Sequence, residues 1–328
     1  MKILLRLPTW IGDAVMTTPT IQALNSYYPQ AEFSLVGSPS SIELFSKQSL
    51  NAKLFVDESK KAKNRYLSLY QIAQKIGKHD LALTFQNNFP SALLLFLTKS
   101  TQRIGYAKNL RSFLLTSALK PQPTLHQVEQ YLHLLSPLHI PLPSKPQLQL
   151  DCKTQKRGKK TRIGINAGAK YGSAKRWCES YFIEVIASLL KEDYEVILYG
   201  GRDEIEANTR IAQALQHIAP LQNFINLTAK TDLPSLIDHI ASLDLFITND
   251  SGPMHIASSQ NIPLIAIFGP TQSKETSPYN SQSPVIILDK HLPCSPCKKR
   301  ECPLKHHQCM KLITPDEVLN NVDQILKA

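Results

Sequence analysis

Two patterns of apolar residues alternate along the chain: short continuous runs, and longer stretches in which apolar side chains recur every third or fourth position. The runs Ile3 to Leu7, Glu32 to Val36, Lys53 to Val56, Asp80 to Phe85 and Arg103 to Tyr106 read as strands. Between them Ala14 to Tyr28, Ile42 to Lys47, Tyr66 to Ile76, Ser91 to Leu97 and Gln127 to Leu135 carry helical spacing, and Pro19 predicts a kink or restart in the first. From Ser136 to Lys160 periodicity stops. Pro137, Pro141, Pro143 and Pro146, followed by the basic run Lys153 to Lys160, predict an interdomain linker. The alternation then restarts with strands Arg162 to Asn166, Glu195 to Tyr199, Phe224 to Leu227, Leu245 to Asn249, Leu264 to Phe268 and Pro284 to Leu288. Helical spacing covers Trp177 to Leu190, Glu204 to His217 and Leu233 to Leu243, and a final helix opens at Pro315 with Thr314 and Glu317 as a capping box. The expectation is an α/β protein of two doubly wound domains, 1–155 and 156–328, with a cleft between them as the binding site.

The most informative stretch is Leu245 to Ala257, where an apolar strand ends at Asn249-Asp250-Ser251-Gly252-Pro253 and a helical pattern follows. The first N–H groups of a helix lack internal partners and sit at the positive end of its dipole, so an anion fits such a turn. Gly252 would admit close approach of a phosphate, Ser251 offers a hydroxyl, and His255 stands one turn in as a possible donor. Asp250 and Ser251 equally suit a plain helix cap, and His255 plain packing.

Other strand ends add to this. Gly12-Asp13 follows the first strand, where Asp13 suits either an N-cap or a general base aimed at the cleft. The loop Gly168 to Trp177 places Lys170, Lys175 and Arg176 beside flexible backbone, and Lys175 is the cation suited to a diphosphate. After the next strand, Gly200-Gly201-Arg202-Asp203-Glu204 offers an acid for ribose hydroxyls, or simply an acidic first helical turn. Three such signals in one domain point to a nucleotide diphosphate. Cys294, Cys297, Cys302 and Cys309, with His306 and His307 among them, are compatible with structural zinc. The gap between Cys297 and Cys302 is unusual for a finger, and Lys298, Lys299, Arg300, Lys305 and Lys311 give the loop a second use as an anion-facing surface.

Composition narrows the partners. A net charge of +11 calls for an anionic partner, such as nucleic acid, a membrane face or a phosphorylated substrate. The cations are scattered and the aromatics are not interleaved with them, which argues against nucleic acid. No G-x-G-x-x-G follows the first strand of either half, which argues against a nicotinamide-dependent oxidoreductase. The longest apolar runs, Ala92 to Leu97 and Ile262 to Phe268, fall far short of the roughly 20 residues of a membrane span. Arg6 interrupts the first apolar run too early for a signal peptide, so a cytoplasmic address with reduced thiols is expected.

Several stretches together carry a family resemblance. Gly12 to Pro19, Gly168 with Ala174-Lys175-Arg176-Trp177, Asn249 to Ala257, Phe268-Gly269-Pro270-Thr271 and the Cys294 to Cys309 loop resemble, from end to end, the ADP-heptose:lipopolysaccharide heptosyltransferases, glycosyltransferase family nine. Arg300-Glu301-Cys302-Pro303 resembles the type II enzymes most, with type I or another family-nine transferase as the alternative. The resemblance implies a GT-B fold, two Rossmann-like domains facing across a cleft, with the acceptor on the N-terminal domain and the nucleotide sugar on the C-terminal one. It implies Asp13 as catalytic base, Lys175 as the phosphate-binding lysine, Glu204 as the ribose acid, with Asp203 or Glu206 as alternatives, and Asp250, Ser251, Gly252 and His255 as the diphosphate turn. It further implies inverting transfer from ADP-heptose to a lipid-linked inner-core heptose, no required cofactor, no nucleic acid, and peripheral contact with the anionic inner face of the inner membrane. An aspartate of ordinary pKa, about 3.9, is a weak base, so its proton transfer would come late in the attack.

Overall fold

The apolar runs are strands because their side chains are buried on both faces, as parallel sheets covered by helices require. Ile3, Leu4 and Leu5 of the first strand and Leu245, Phe246 and Ile247 of a later one are all fully buried. The computed structural model describes residues 1–153, 159–279 and 282–327, and the chain divides into two units, Met1–Asp151 and Cys152–Ala328.

Unit 1 holds β1 (Lys2–Arg6), β2 (Glu32–Gly37), β3 (Ala52–Val56), β4 (Leu81–Thr84), β5 (Gln102–Tyr106) and β6 (Ser117–Leu119), in the order β3-β2-β1-β4-β5-β6. Every pairing is parallel. Its helices are α1 (Ile11–Met16), α2 (Thr18–Tyr27), α3 (Pro39–Phe45), α4 (Arg65–Ile76), α5 (Phe89–Leu97) and α6 (Gln127–His133). Pro19 marks a restart: α1 ends at Thr17, and Pro19 takes the first turn of α2, where its missing N–H costs nothing. The hydroxyls of Thr17 and Thr18 donate to the carbonyls of Ala14 and Val15 at 2.6 and 2.8 Å, closing the break. β6 carries no apolar run and was not expected.

Part of the expected linker belongs to unit 1. Leu148 and Leu150 are buried, the Gln149 N–H donates to Thr18 Oγ1 at 3.2 Å, and Asp151 accepts from the Ser49 N–H at 2.5 Å. Alternate apolar side chains, not proline content, decide the matter: they are pulled into the core and carry the backbone with them. Much of the basic run expected from Lys153 to Lys160, residues 154–158, lies outside the described residues.

Unit 2 repeats the plan with β7 (Arg162–Asn166), β8 (Glu195–Tyr199), β9 (Phe224–Asn226), β10 (Leu245–Asn249), β11 (Leu264–Ile267) and β12 (Val285–Leu288), ordered β12-β11-β10-β7-β8-β9 and parallel throughout. Its helices are α7 (Glu179–Lys191), α8 (Ile205–Leu215), α9 (Leu233–Ala241), α10 (Gly252–Ser259), α11 (Ser273–Thr276), α12 (Gln308–Lys311) and α13 (Pro315–Leu326). Trp177, Phe182, Ile186 and Leu189 pack on Ile163, Ile165, Leu245 and Ile247, and Trp177 Nε1 donates to the Ile313 carbonyl at 2.9 Å. The box expected at the start of α13 is only half formed. Thr314 accepts from the Glu317 N–H at 3.3 Å, but the Glu317 carboxylate turns to Lys290 at 2.7 Å, because a cation outcompetes a backbone amide. Among the described residues no helix is long and apolar enough to cross a membrane.

In both units the strand order reverses beside the first strand, between β1 and β4 and between β7 and β10. Ligands of open α/β sheets bind outside the carboxyl ends of strands at such switch points.

Candidate active site

In unit 2 the switch point gathers the loops that follow β7, β8, β10 and β11. Asp250, directly after β10, is nearly buried, with 4% of its side chain exposed, and Lys175 reaches it from the β7 loop at 2.5 Å. The Thr271 hydroxyl, from the loop after β11, donates to the same oxygen, Oδ2, at 2.5 Å. Lys175 Nζ also lies 4.9 Å from the centre of the Tyr171 ring, a cation–π contact that holds the lysine over its own loop. A buried carboxylate needs such partners, since removing it from water costs several kcal/mol.

Ser251 is the N-cap residue of α10, yet its side chain makes no capping bond. Its hydroxyl instead lies 3.1 Å from Asn166 Nδ2 and 3.2 Å from Thr248 Oγ1. The turn at Ser251 and Gly252 therefore is not closed by the side chain that most often caps a helix. Met254 to Ser259 are buried, His255 among them at the first turn of the helix.

Glu204 ends a single 3-10 turn, Arg202–Glu204, and accepts from the Gly201 N–H at 2.7 Å. Burial pushes its carboxyl up, against the pull of that N–H and of Arg176. The carboxylate lies directly on Gly168: a Cβ there would fall 1.6 Å from Glu204 Oε1, so any larger residue would displace the carboxylate. The two alternative acids face elsewhere, Asp203 toward Lys170 at 3.5 Å and Glu206 toward Arg210 at 2.7 Å, both exposed. Lys175, Asp250, Ser251 and Glu204 thus share one end of the sheet.

Two asparagines, unremarked in the sequence, hold this end together. Asn249 Nδ2 donates to the Ala167 carbonyl at 2.8 Å while its Oδ1 accepts from the Trp177 N–H at 3.1 Å, pinning both ends of the Lys175 loop. Asn166 Nδ2 reaches the Gly168 carbonyl at 3.1 Å. The available signal was an amide closing each of two neighbouring apolar strands.

The cysteine loop braces the same region. The Arg300 carbonyl accepts from the Ala174 N–H at 3.0 Å, and His307 Nε2 donates to the Ala174 carbonyl at 3.0 Å. The Tyr171 hydroxyl donates to the Lys298 carbonyl at 2.8 Å, while the Lys298 N–H donates to the Pro270 carbonyl at 2.7 Å and the Ser295 hydroxyl to that of Gly269. Gly172 allows this contact, because a Cβ would sit 2.2 Å from the Arg300 carbonyl oxygen. Residues 294–309 therefore tie the loop of Lys175 to the loop of Thr271. Among the described residues, Cys294, Cys297, Cys302 and Cys309 included, no group of three or more His, Cys, Asp or Glu is placed to share a metal ion. Burial first, and then the charges of Cys302, Cys294 and Cys297, push the Cys309 thiol up to about 11.

In unit 1, Asp13 is the third residue of α1 and half-buried, while Trp10 is the N-cap. It acts electrostatically on the buried Tyr131 of α6, whose phenol is raised well above its ordinary value, first by burial and then by Asp13. Behind it, Arg6 at the end of β1 pairs with Asp57 after β3, with both side chains nearly buried. The carboxyl ends of β1 and β3 are locked together by that pair.

Comparison with known proteins accords with this architecture. The model of glycosyltransferase family 9 (heptosyltransferase) matches residues 69–308. The chain is 37% identical to lipooligosaccharide heptosyltransferase 2 of Campylobacter jejuni, across 99% of each protein. Among solved structures, Escherichia coli ADP-heptose lps heptosyltransferase II superimposes with a TM-score of 0.79 at 25% identity, covering 100% of this chain and 99% of that one. A family 9 glycosyl transferase from Veillonella parvula superimposes with a TM-score of 0.86 at 21% identity, covering 99% and 97%. With the family model spanning most of its length and a relative matching it end to end, the chain belongs to glycosyltransferase family 9, the heptosyltransferases.

Proposed function

We propose that this glycosyltransferase moves heptose from ADP-heptose to an inner-core heptose of a lipid-linked acceptor, with inversion, as a type II enzyme. The observation that carries the reading is the convergence of Lys175, Asp250, the Ser251–Gly252 turn and Glu204 at one switch point. End-to-end similarity to a protein named heptosyltransferase 2 supports the type.

In this reading Glu204 accepts hydrogen bonds from the ribose hydroxyls, and the diphosphate lies at the start of α10. Eight residues of helix and an unclosed first turn favour negative charge there. Lys175, paired with Asp250, turns to the diphosphate when donor binds, and Thr271 remains on Asp250. Asp250 thereby keeps a donor through the exchange.

The acceptor hydroxyl attacks the anomeric carbon from the face opposite ADP. Its proton passes to the Asp13 carboxylate, the new C–O bond forms, and the bond to ADP breaks with its electron pair leaving on the phosphate oxygen. Lys175 and the α10 amides stabilise that charge, the type of electrostatic contribution that is often the largest in such a reaction. Within this scheme His255, in the first turn of α10, belongs to the diphosphate turn. The protein works at the cytoplasmic face of an anionic membrane, with Lys299, Arg300 and Lys305, exposed beside the exposed Leu304, as the contact.

Release of ADP on mixing the protein with ADP-heptose and a defined inner-core acceptor tests the reading. Release that requires both substrates is expected. No release with any inner-core acceptor would overturn it.

A further inference from the structure

Leu110 and Phe113 are the most exposed large apolar side chains among the described residues, at 91% and 74%. Both stand on the loop between β5 and β6, and that loop is firmly anchored. Arg111, between them, is fully buried. Its Nε donates to the Tyr106 carbonyl at 3.0 Å, one terminal nitrogen to the Gln86 carbonyl and, at 2.9 Å, to the Ser91 hydroxyl, and the other to Asn87 Oδ1 at 3.1 Å. Asn109 Nδ2 donates to the Asn87 carbonyl at 2.5 Å, and Leu114 and Leu115 are buried in a core cluster of unit 1. Leu110 itself sits in the left-handed region, with a φ of 53°, a conformation unfavourable for leucine. Backbone strain and a buried guanidinium thus hold two apolar side chains out in water. Large apolar groups presented this way mark a contact surface.

The sequence around the loop carries charge of one sign. No acidic residue occurs between Asp80 and Glu129, whereas Lys108 opens the loop and Lys120 follows β6, both exposed. The two lysines flank the tip, since the Ala107 N–H donates to the Leu119 carbonyl at 2.7 Å. The Phe113 ring lies 6.3 Å from that of the half-buried Phe89 at the start of α5, which widens the apolar tip. Because the sheet is parallel, this loop opens at the carboxyl ends of the strands, as does the β1–α1 turn that leads to Asp13. Apolar side chains flanked by cations suit an anionic bilayer, whose headgroups take the lysines while the acyl boundary takes the tip. A second copy of the chain fits poorly. It would bring the same lysines against these, and two side chains on a loop offer far less than the about 800 Å² that each partner gives a stable protein interface.

We propose that Leu110 and Phe113 insert into an anionic lipid surface, with Lys108 and Lys120 on its headgroups. The inference rests on the lipid-linked acceptor of the reading above, and adds an apolar contact on unit 1 that holds the Asp13 end of its sheet at the bilayer carrying that acceptor.

Sedimentation of the full-length protein with vesicles of phosphatidylcholine and phosphatidylglycerol, about 3:1, is the test, and it needs no substrate. Leu110→Ser combined with Phe113→Ser is expected to lower vesicle binding at least about tenfold, with an unchanged melting temperature. Lys108→Gln combined with Lys120→Gln should lower binding to these vesicles and leave binding to phosphatidylcholine alone unchanged. In the Leu110 and Phe113 variant, transfer should fall when the acceptor is in vesicles and stay within about twofold of wild type with an acyl-free acceptor in solution. Wild-type protein that does not sediment with the anionic vesicles, or full binding by the Leu110 and Phe113 variant, overturns the proposal. So does a change from dimer to monomer on gel filtration in that variant, which would make the tip a self-association surface. Wild-type protein that transfers to neither acceptor overturns the reading of function, a result distinct from a failure to sediment.

Discussion

Lys175 Nζ and Thr271 Oγ1 both lie 2.5 Å from the same carboxylate oxygen of Asp250, although the three residues come from the loops after three different strands. The pairing holds the lysine at the sheet end. Lys175→Ala should therefore act twice. It should weaken ADP binding by roughly ten- to a hundredfold, the scale of a lost charge-assisted bond, and should lower the melting temperature by leaving Asp250 buried without its cation. Adding Asp250→Asn should restore the melting temperature and not the affinity, and recovery of ADP binding in the double variant would contradict the lysine's role.

Gly168→Ala should act chiefly by displacing the Glu204 carboxylate. Its Cβ would fall 1.6 Å from Glu204 Oε1, so loop or acid must move. We expect a lower melting temperature and weaker ADP binding. In Gly168→Ala with Glu204→Ala the melting temperature should recover while ADP affinity stays low, as isothermal titration would show.

Acid should loosen unit 1 through Asp57. Burial alone raises its carboxyl, but the Arg6 guanidinium and the bonds from Ser59 outweigh burial and hold the group below its ordinary value. A depressed carboxylate contributes stability above its unfolded pKa, about 3.9, and loses it as pH falls through the lower folded value. Asp57→Asn, which leaves Arg6 buried without its anion, should cost about 3–5 kcal/mol at neutral pH and flatten the fall in melting temperature below about pH 4. An unchanged acid limb would show that the pair does not govern it.

The thiols of the cysteine loop should differ in reactivity. Cys309, pushed up to about 11 by burial and by the three neighbouring cysteines, should react with iodoacetamide at pH 8 at least about tenfold more slowly than the exposed Cys294. Peptide mass spectrometry over time reads this directly. Equal rates would mean that the loop opens readily.

Much of this was legible in the residues. Buried parallel strands are continuous apolar runs, so Ile3 to Leu7 and Leu245 to Asn249 could be placed before any coordinates. What the pattern could not show is adjacency over long stretches of sequence. Thr271 bonds Asp250 from 21 positions away, and the cysteine loop reaches the Ala174 amide from Arg300. Short elements without apolar runs, such as β6, escaped for the opposite reason: their strand form comes from the neighbour they pair with.

The division of labour between the units is tested most directly by Asp13→Asn, measured in two assays on one preparation: ADP affinity by titration, and heptose transfer to an inner-core acceptor. Loss of transfer by about 10²–10⁴-fold with ADP affinity unchanged is the predicted result, as expected for a base that touches only the acceptor. Transfer at the wild-type rate, or loss of ADP binding along with transfer, would contradict it.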